Sequence, residues 1–367
     1  MSLKPQKKQL KIFSFFSGIG LLDLGFESNG AEVVFVNEIN DRFLEGYKYS
    51  RQTLGYKCPK YDYWNNSIES FLNGELSHVL SSFIKKESNS KNITLFLGGP
   101  PCPDFSIGGK NKGANGEKGK LTKTYFEIIN KFQPDIFLFE NVKGLFRTKK
   151  HREFFDNQIE STTNNYKIHY DLLNALEFGV PQDRDRVICI GFLKKKYGHI
   201  KDNQLNFNDY KLFNKFTVTN LPWIKTNPFK ENAESIAPNN ILTELTVQYW
   251  FDKNKVETHP NSNNSFKPRA ALSKFKIIPE GDDSKKSFKR LHRWRYSPTA
   301  AYGNNEVHLH PYKARRISAA EALAIQSAPD QFHLPLSMPL SHMFKAIGNA
   351  VPYLMAKKIS KLIFENM

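Results

Sequence analysis

Two reactive side chains each follow a short apolar run of the kind that forms a buried strand. Cys102 comes soon after residues 93–97, and Glu140 comes directly after residues 136–139. Prolines flank Cys102 and restrict the backbone around it, so stiff neighbours hold the thiol. A cysteine held in this way near positive charge is a candidate nucleophile, although cysteines after apolar runs are most often small buried hydrophobic residues.

Two arginines could supply that positive charge. Arg184 and Arg186 alternate with Asp183 and Asp185 on a segment that leads into another apolar run. Alternate residues of an extended chain point to the same side, so both guanidinium groups could face one pocket. An electropositive pocket stabilises a thiolate. The competing interpretation is a ladder of surface salt bridges between these arginines and the neighbouring aspartates.

A further group of residues could bind a ligand that contains a ribose. A turn between the first apolar run and a predicted helix consists of Phe16, Ser17, Gly18, Ile19 and Gly20. Glycines let the backbone approach a ligand closely. Glu38 ends the second predicted strand, about 20 residues further on, where an acid can accept hydrogen bonds from ribose hydroxyls. A plain strand-to-helix turn and a solvated surface glutamate are the alternatives.

The elements that must position these residues alternate between strands and helices. This order predicts an α/β fold with a mostly parallel sheet and helices on both faces. The predicted strands are residues 10–16, 32–36, 93–97, 136–139, 170–175 and 186–192, and the clearest helices are residues 121–132 and 353–364. Ser318 and Glu321 have the spacing of a capping box, which predicts another helix start. Ligands of such sheets bind at the carboxyl ends of the strands, where Cys102 and Glu140 could meet.

Five blocks of sequence resemble, in order, the motifs of the DNA cytosine-5 methyltransferases. They are residues 16–20 (FSGIG), 98–106 (GGPPCPDFS), 139–142 (FENV), 182–186 (QDRDR) and 347–352 (IGNAVP). Each block is weak evidence alone, but five in the family's order over almost the whole chain are specific. The resemblance implies a Rossmann-like, S-adenosylmethionine-dependent methyltransferase sheet with a second, smaller irregular domain.

The resemblance also implies a role for each reactive residue. Cys102 would attack C6 of a cytosine flipped out of duplex DNA, and C5 would then take the methyl group. Glu140 would contact N3 and the exocyclic amine, which requires a proton on its carboxyl group, so we expect burial to raise its pKa. Arg186 would reach the cytosine O2, and Arg184 would brace the site.

The implied cofactor is S-adenosyl-L-methionine. The residues expected to bind it are the turn at residues 16–20, Glu38, Ile68, Pro100 and Asn349. The chain departs from the family at two positions. Ser67 stands where an acidic residue usually contacts the adenine, and Pro103 replaces the glutamine that usually follows the nucleophile. The Pro103 departure concerns the geometry of the loop after the nucleophile. It also concerns the side chain that fills the position which the flipped base leaves in the duplex.

The charge of the chain favours a polyanionic partner. The formal net charge is +17 and the pI about 9.5, although coding rich in A and T would also produce many lysines. A glycine- and lysine-rich segment after the predicted nucleophile suits a loop that closes over DNA. The candidate DNA-binding residues are Ser106, Lys110, Lys112, Arg290, Arg293, Arg295 and Thr299.

The composition of the chain changes after residue 192. The residues that follow are polar and rich in asparagine, and their hydrophobic pattern is only weakly periodic. We predict a catalytic and cofactor-binding domain of residues 1–192 plus 340–367. Residues 193–339 would form the smaller domain, which in the resembling family chooses the DNA sequence. A loosely folded insert is the alternative for this region.

Cysteine usage and hydropathy narrow the cellular setting. The three cysteines are widely spaced and form no CxxC pair, which argues against a disulfide framework and a zinc site and fits a reducing compartment. No apolar run approaches the length of a membrane span. We therefore expect a cytoplasmic, monomeric protein with no metal and no membrane partner.

Together these features predict a sequence-specific DNA cytosine-5 methyltransferase of a restriction-modification system. A cognate restriction endonuclease acting on the same site is a further expected partner. The alternatives are a tRNA cytosine-5 methyltransferase of the same fold and an inactive DNA-binding module. A nicotinamide oxidoreductase fits less well because the GxGxxG pattern is missing. The recognition sequence and the choice of cytosine cannot be read from the chain.

Overall fold

A computed structural model describes residues 9–101, 117–268, 272–285, 287–300, 302 and 306–367 of the 367-residue chain. The predicted nucleophile lies outside these residues, and so do three of the candidate DNA-binding residues. These positions are Cys102, Ser106, Lys110 and Lys112. Pro103, one of the two departures from the family pattern, also lies outside them.

Within the described residues, seven strands form one sheet. They are β1 (Leu10–Phe15), β2 (Glu32–Asn37), β3 (Tyr63–Trp64), β4 (Ile93–Gly98), β5 (Ile136–Val142), β6 (Tyr166–Asn174) and β7 (Asp185–Leu193). Their spatial order is β3-β2-β1-β4-β5-β7-β6. β7 runs antiparallel to both of its neighbours, and the other pairs are parallel. The predicted mostly parallel α/β sheet is therefore confirmed.

Helices flank the sheet and build the rest of the described chain. The α-helices are α1 (Leu21–Glu27), α2 (Asp41–Thr53), α3 (Glu75–Asn89), α4 (Glu117–Phe132), α5 (Lys149–Thr163), α6 (Lys194–Tyr197), α7 (Lys215–Thr219), α8 (Val247–Lys253), α9 (Leu272–Phe275), α10 (Ala319–Ile325), α11 (Leu340–Asn349) and α12 (Tyr353–Glu365). Short 3₁₀ helices are Ile68–Phe71, Lys143–Phe146, Ala175–Phe178, Asp202–Gln204, Phe207–Tyr210 and Thr243–Leu245. The predicted capping box of Ser318 and Glu321 opens α10. No helix in the described ranges has the length and apolar character to cross a membrane.

The sheet is apolar on both faces because helices cover both. Side chains of β1, β4 and β5 on one face pack with α1, α2 and α12. The opposite face packs with α3, α4 and α5 and is rich in aromatic rings, which include Phe13, Phe96 and Phe137. Alternation along each strand separates the two sets, since Ile12 lies in the first cluster and Phe13 in the second.

A further core joins the later part of the chain to the first helices. It contains Ile19, Leu21, Leu24 and Phe43 together with residues of α8, α10 and α11. A small cluster of Leu176, Val218, Trp223 and Leu245 lies apart from it. The division of the chain at residues 193 and 340 stays a prediction.

The last helix returns to the beginning of the chain and packs closely on α1. A Cβ atom at Gly25 would lie 2.5 Å from the Cβ of Ala356 and 2.6 Å from the backbone nitrogen of Lys357. Across this contact Ser360 Oγ donates to the Gly25 carbonyl oxygen at 3.2 Å, and Asn29 Nδ2 donates to the Lys357 carbonyl oxygen at 2.8 Å. The glycine is therefore needed for the close approach of the two helices.

We expect Gly25→Ala to lower the free energy of unfolding by about 1–3 kcal/mol, because the added methyl group meets backbone that must shift. Urea unfolding followed by circular dichroism measures this change. Gly46→Ala in α2 is the matched control, since the nearest atom there is a side-chain carbon of Ile19 at 3.1 Å. Alanine favours a helix by about 1 kcal/mol over glycine, so this control should stay near neutral. Equal losses in the two variants would contradict the account.

Candidate active site

The carboxyl edge of the sheet brings the predicted catalytic residues of β5 and β7 to one place. Glu140 lies on β5 and Arg186 on β7, and both side chains are only 9% accessible. Glu140 Oε1 and Arg186 Nε are 2.7 Å apart and form an ion pair. The predicted convergence of these two residues is thus present in the structure.

The strand that leads to the predicted nucleophile ends beside this ion pair. β4 pairs with β5, with Gly98 opposite Phe139. A Cβ atom at Gly99 would lie 2.6 Å from Glu140 Oε2, so a side chain there would displace the carboxylate. Pro100, the next residue, is buried. The segment that continues to Cys102 therefore leaves the sheet in contact with Glu140.

Burial controls the protonation of Glu140. Loss of solvation raises the pKa of its carboxyl group, and this effect outweighs the lowering by the guanidinium groups of Arg186 and Arg184. The carboxyl group can therefore keep a proton at a pH where an exposed glutamate has lost it. The expected rise in the pKa of Glu140 is confirmed.

Arg184 does not face the same partners as Arg186. It is almost fully buried, and its Nη1 donates to the Ala300 carbonyl oxygen at 3.1 Å. Its Nη2 donates to the carbonyl oxygens of Gly348 at 2.7 Å and Ala350 at 3.0 Å, at the end of α11. The cation thereby satisfies carbonyl groups that the last turn of a helix leaves without partners. Asn349, a predicted cofactor ligand, is exposed between these two anchored residues.

Gln182 ties the same edge to two more segments. Its Oε1 accepts from the Ala300 backbone nitrogen at 2.9 Å, and its Nε2 donates to Gln326 Oε1 at 3.2 Å. Gln326 Nε2 in turn donates to the Ile347 carbonyl oxygen at 2.6 Å. Buried hydrogen bonds of this kind fix relative positions because leaving a buried partner unsatisfied is costly.

The turn after β1 has features of a ligand site. Gly18 has a positive φ of 56°, and no described atom lies within 4 Å of the place where its Cβ would be. The buried Oγ of Ser17 has no hydrogen-bond partner among the residues that the structure describes. Glu38, which is buried, accepts from the backbone nitrogens of Gly18 at 2.9 Å and Asn40 at 2.8 Å. The predicted turn and the predicted acid are therefore in contact.

Two isoleucines lie near the turn, Ile39 next to Glu38 in sequence and Ile68 in the aromatic cluster that Phe16 borders. Ile68 is buried at the start of a 3₁₀ helix, whereas Ile39, next to Glu38, is 63% exposed. Sequence reasoning missed Ile39, since a single isoleucine after a strand carries no signal of its own. Ser67 caps the 3₁₀ helix, and its hydroxyl lies 3.2 Å from Glu69 Oε2.

A buried polar cluster binds the turn at Gly20, and no motif of the sequence indicates it. Arg51 Nη2 donates to the Gly20 carbonyl oxygen at 2.7 Å, and Arg51 Nε lies 2.8 Å from Glu27 Oε2. Tyr47 stacks under the guanidinium group and donates to Asp23 Oδ2 at 2.8 Å. One arginine from α2 thus holds both the turn and an acid of α1. Burial raises the pKa of Glu27 to about 7, despite the opposing charge of Arg51.

This cluster makes stability depend on pH. The pKa of Glu27 in the folded protein lies above its ordinary value of 4.5, so folding favours the protonated form. Its contribution is complete below about pH 4.5 and is lost as the pH rises through about 7. We expect the unfolding free energy of the wild type to fall by about 2–3 kcal/mol relative to Glu27→Gln between pH 5 and pH 8. Urea unfolding at both values measures it.

Glu75→Gln, which removes an exposed carboxylate from the first turn of α3, is the control for this comparison. Its stability should follow that of the wild type at both pH values. A constant difference between the wild type and Glu27→Gln from pH 5 to pH 8 would contradict the assignment.

The predicted DNA contacts of Arg290 and Arg293 do not agree with their burial. Arg290 is fully buried, and its guanidinium group donates to carbonyl oxygens of Phe275, Ile278 and His310. Arg293 forms two hydrogen bonds of 2.9 Å with the carboxylate of Glu280. Both guanidinium groups are directed inward, so they stabilise the smaller region instead of facing a phosphate.

Arg295 and Thr299 lie nearer the surface. Arg295 Nη2 is 2.6 Å from Asp283 Oδ2. Thr299 is exposed, and its hydroxyl donates to the Asp183 carbonyl oxygen at 2.6 Å. Thr299 is therefore held directly beside the Arg184–Arg186 segment.

Two lysines that sequence reasoning missed also lie at this edge. Lys143 Nζ is 2.9 Å from Asp185 Oδ2, and Lys215 Nζ is 2.8 Å from Asp185 Oδ1. Although burial opposes ionisation, hydrogen bonds from Lys215, Asn174 and Lys143 lower the pKa of Asp185 to about 2. In the alternative interpretation, a salt-bridge ladder, Asp185 would pair with the arginines, but it pairs with Lys143 and Lys215 instead. These lysines are distant in sequence, so the sequence alone could not pair them with Asp185.

The other cysteines lie away from this edge or inside the sheet. Cys189 on β7 is fully buried, and burial raises the pKa of its thiol. Cys58 is exposed in the segment before β3. Across the described ranges, no group of three or more histidine, cysteine or acidic side chains could hold a metal ion.

Comparisons with known proteins agree with this geometry. The model of the C-5 cytosine-specific DNA methylase family matches residues 10–365. Type II methyltransferase M.NmeDI of Neisseria meningitidis serogroup C is 53% identical over 98% of this chain and 84% of its own length. M.FnuDI of Fusobacterium nucleatum, also a type II methyltransferase, is 28% identical over 98% of this chain and 95% of its own.

Solved structures share the fold at low sequence identity. A structure described as a DNA modification methyltransferase encoded within an Escherichia coli prophage has a TM-score of 0.65 and 21% identity, over 97% of this chain and 99% of that one. The methyltransferase EhMeth of Entamoeba histolytica has a TM-score of 0.61 and 15% identity, over 98% of this chain and 99% of that one. At these identities the likeness concerns the fold alone.

Proposed function

Because the chain belongs to the C-5 cytosine-specific DNA methylase family and is a DNA cytosine-5 methyltransferase, we propose that it methylates one cytosine of a specific duplex sequence through a covalent bond to Cys102. The observation that carries this proposal is the Glu140–Arg186 ion pair at the sheet edge, with Gly99 packed against the carboxylate. That arrangement joins the strand before Cys102 to the two groups that bind the ring.

Cys102 has a chemical task that the other cysteines cannot perform. Cytosine C5 is a poor nucleophile, and addition of a thiolate to C6 makes C5 electron-rich. Cys189 is enclosed in the sheet, and Cys58 lies just before β3, which three strands separate from β5, so neither is placed to attack a base held at Glu140. Arg186 places positive charge next to Glu140, against which Gly99 packs, and this charge would favour the thiolate of Cys102.

Glu140 assists the addition of the thiolate by donating a proton to the ring. Attack at C6 moves negative charge onto N3 and O2 of the ring. A buried carboxyl group with a raised pKa donates its proton towards N3 as the charge develops, and Arg186 stabilises O2. After methylation, loss of the C5 proton and departure of the Cys102 sulfur restore the aromatic ring. Each bond made to the protein is thus broken again.

Residues at the turn after β1 fit the implied methyl donor. When bound, S-adenosyl-L-methionine supplies the methyl group in electrophilic form. Glu38 is buried and acidic beside Gly18, as ribose hydroxyls require, and the buried Ser17 hydroxyl is available as a further polar contact. Ile39 and Ile68 offer apolar surface for an adenine. Arg184 holds the backbone on both sides of Asn349, which positions that amide towards the methionine end.

A stacked base cannot reach Glu140, so the target cytosine must leave the duplex. The charge of +17 draws the DNA to the protein. Lys143, Lys215 and Thr299 lie next to the Arg184–Arg186 segment and would contact phosphates that flank the flipped nucleotide. Ser106, Lys110 and Lys112, which lie outside the described residues, stay predicted DNA contacts.

The biological role that fits is modification of DNA against a cognate restriction endonuclease. The support is the 53% identity to a type II methyltransferase over nearly the whole chain. Protection of host DNA from digestion, lost when the gene is deleted, would bear this role out. Unchanged digestion after deletion would speak against it.

The direct test is methyl transfer from labelled S-adenosyl-L-methionine to duplex DNA by the wild type and Cys102→Ser. We expect transfer by the wild type and a loss of at least about 10³-fold in the variant, because a hydroxyl is a far weaker nucleophile at neutral pH. DNA that contains 5-fluorocytosine should trap a covalent complex with the wild type only, since fluorine cannot leave as a proton does. Denaturing gel electrophoresis detects the complex.

A Cys58→Ser variant is the matched control and should retain both activities. Undiminished transfer by Cys102→Ser would overturn the covalent mechanism. Transfer to tRNA but not to duplex DNA would replace the proposed substrate with the RNA alternative.

A further inference from the structure

A cleft of about 360 Å³ opens in the smaller region of the chain. Trp223 and Tyr296 form its apolar wall, with ring centroids 5.4 Å apart and the rings nearly perpendicular. Its polar rim includes Arg295, Asp283 and Lys225. This combination of aromatic side chains with both cations and carboxylates suits a nucleobase edge.

The cation and the carboxylate form a fixed pair. Arg295 Nη2 lies 2.6 Å from Asp283 Oδ2, and Arg295 Nη1 donates to the Lys225 carbonyl oxygen at 3.4 Å. The guanidinium group also lies 5.7 Å from the centre of the Tyr296 ring. A guanidinium carries five N–H donors, so these contacts orient its fork and leave donors for a ligand. The Arg295 side chain remains 18% accessible and the Asp283 side chain 36% accessible.

Two short segments connect this cleft to the catalytic edge. α7 contacts Asp185 through Lys215 at its start and lines the cleft through Thr219 at its end. The other segment runs from Arg295 in the cleft to Thr299, whose hydroxyl binds the Asp183 carbonyl oxygen. Four residues of extended chain span at most about 14 Å. At about 3.4 Å per base pair, Arg295 therefore lies within about four base pairs of Thr299, which binds the segment that carries Arg184 and Arg186.

The charges in the cleft argue against a phosphate as its ligand. Asp282 and Asp283 lie on the same wall and would repel an anion, and the Arg295 charge is already paired. A base pair presents both acceptors and donors in the major groove. Guanine offers O6 and N7 to an arginine fork, and cytosine offers its N4 amino group to a carboxylate. The paired Arg295 and Asp283 present the complementary pattern.

We propose that Arg295 and Asp283 read one G·C base pair on the duplex that flanks the target cytosine and so help to set the recognition sequence. Arg295 donates to guanine O6 and N7, and Asp283 orients the guanidinium fork and accepts from cytosine N4. The Trp223 and Tyr296 rings keep the pair in place and exclude water. This inference rests on the proposed methylation of duplex DNA and adds the residues that choose a base.

The test uses the full-length protein and duplex DNA with a randomised segment. Each variant methylates the library with S-adenosyl-L-methionine, and sequencing after chemical conversion of unmethylated cytosine gives the preferred sequence. In Arg295→Ala the preference for guanine at one position should fall about ten- to a hundredfold, with the other positions unchanged. Arg295→Lys, which keeps the charge but loses the fork, should show the same single-position loss. Asp283→Asn, a second route to the same site, should weaken that position too.

Lys361→Ala, on the exposed side of α12, removes one positive charge far from the cleft and should leave the preferred sequence unchanged. A uniform loss of rate in Arg295→Ala with every preference intact, and a salt dependence of binding reduced by about one ion, would identify a phosphate contact and overturn the proposal. Unchanged rate and preference would reduce the pair to a structural ion pair and also overturn it. Absence of methylation by the wild type would instead count against the proposed function.

Discussion

The buried ion pair between Glu140 and Arg186 is the interaction on which the site depends. Burial makes the carboxylate hard to ionise, whereas the guanidinium group makes it easier, and burial prevails. Removing either partner of a buried pair leaves a group without compensation, at a loss of about 3–5 kcal/mol. Formation of the pair nevertheless adds little net stability, because taking both charges out of water costs about as much as their attraction returns. Its value lies in presenting a proton donor and a cation together at the edge of a rigid sheet.

The surrounding structure serves to hold that edge still. Arg184 binds carbonyl oxygens from two separate segments, and Gln182 binds a third through Gln326. Arg51 from α2 holds the turn at residues 16–20, which fits the methyl donor, by donating to the Gly20 carbonyl oxygen. Each of these side chains is polar, buried and bonded to backbone, so each fixes a loop that has little regular structure of its own. The contact of α12 with α1 at Gly25 then closes the fold.

β1, β2, β4 and β5 could be predicted, because each is an apolar run before a turn or a polar residue with a chemical use. β6 begins four residues before its predicted start, because Lys167 and His169 interrupt the apolar pattern there. β3 has only two residues, which is too short to leave a pattern. The contacts of the basic residues were harder to predict than the strands. Arg290 and Arg295 belong to one basic cluster in sequence, yet the first is directed at carbonyl oxygens and the second borders a cleft. The Arg51–Glu27 pair and the Lys143–Asp185 pair join residues that only the tertiary fold brings together.

The claim that Glu140 assists nucleophilic addition can be tested without the methyl donor. Addition at C6 allows exchange of the C5 hydrogen. Duplex DNA labelled with tritium at cytosine C5 should therefore release tritium when the wild-type protein is added without S-adenosyl-L-methionine. We expect release to slow as the pH rises through the raised pKa of Glu140, and to fall by at least about 10²-fold in Glu140→Gln. Glu153→Gln, on the exposed face of α5, should release tritium at the wild-type rate. Release by Glu140→Gln at the wild-type rate would contradict the role given to the carboxyl group.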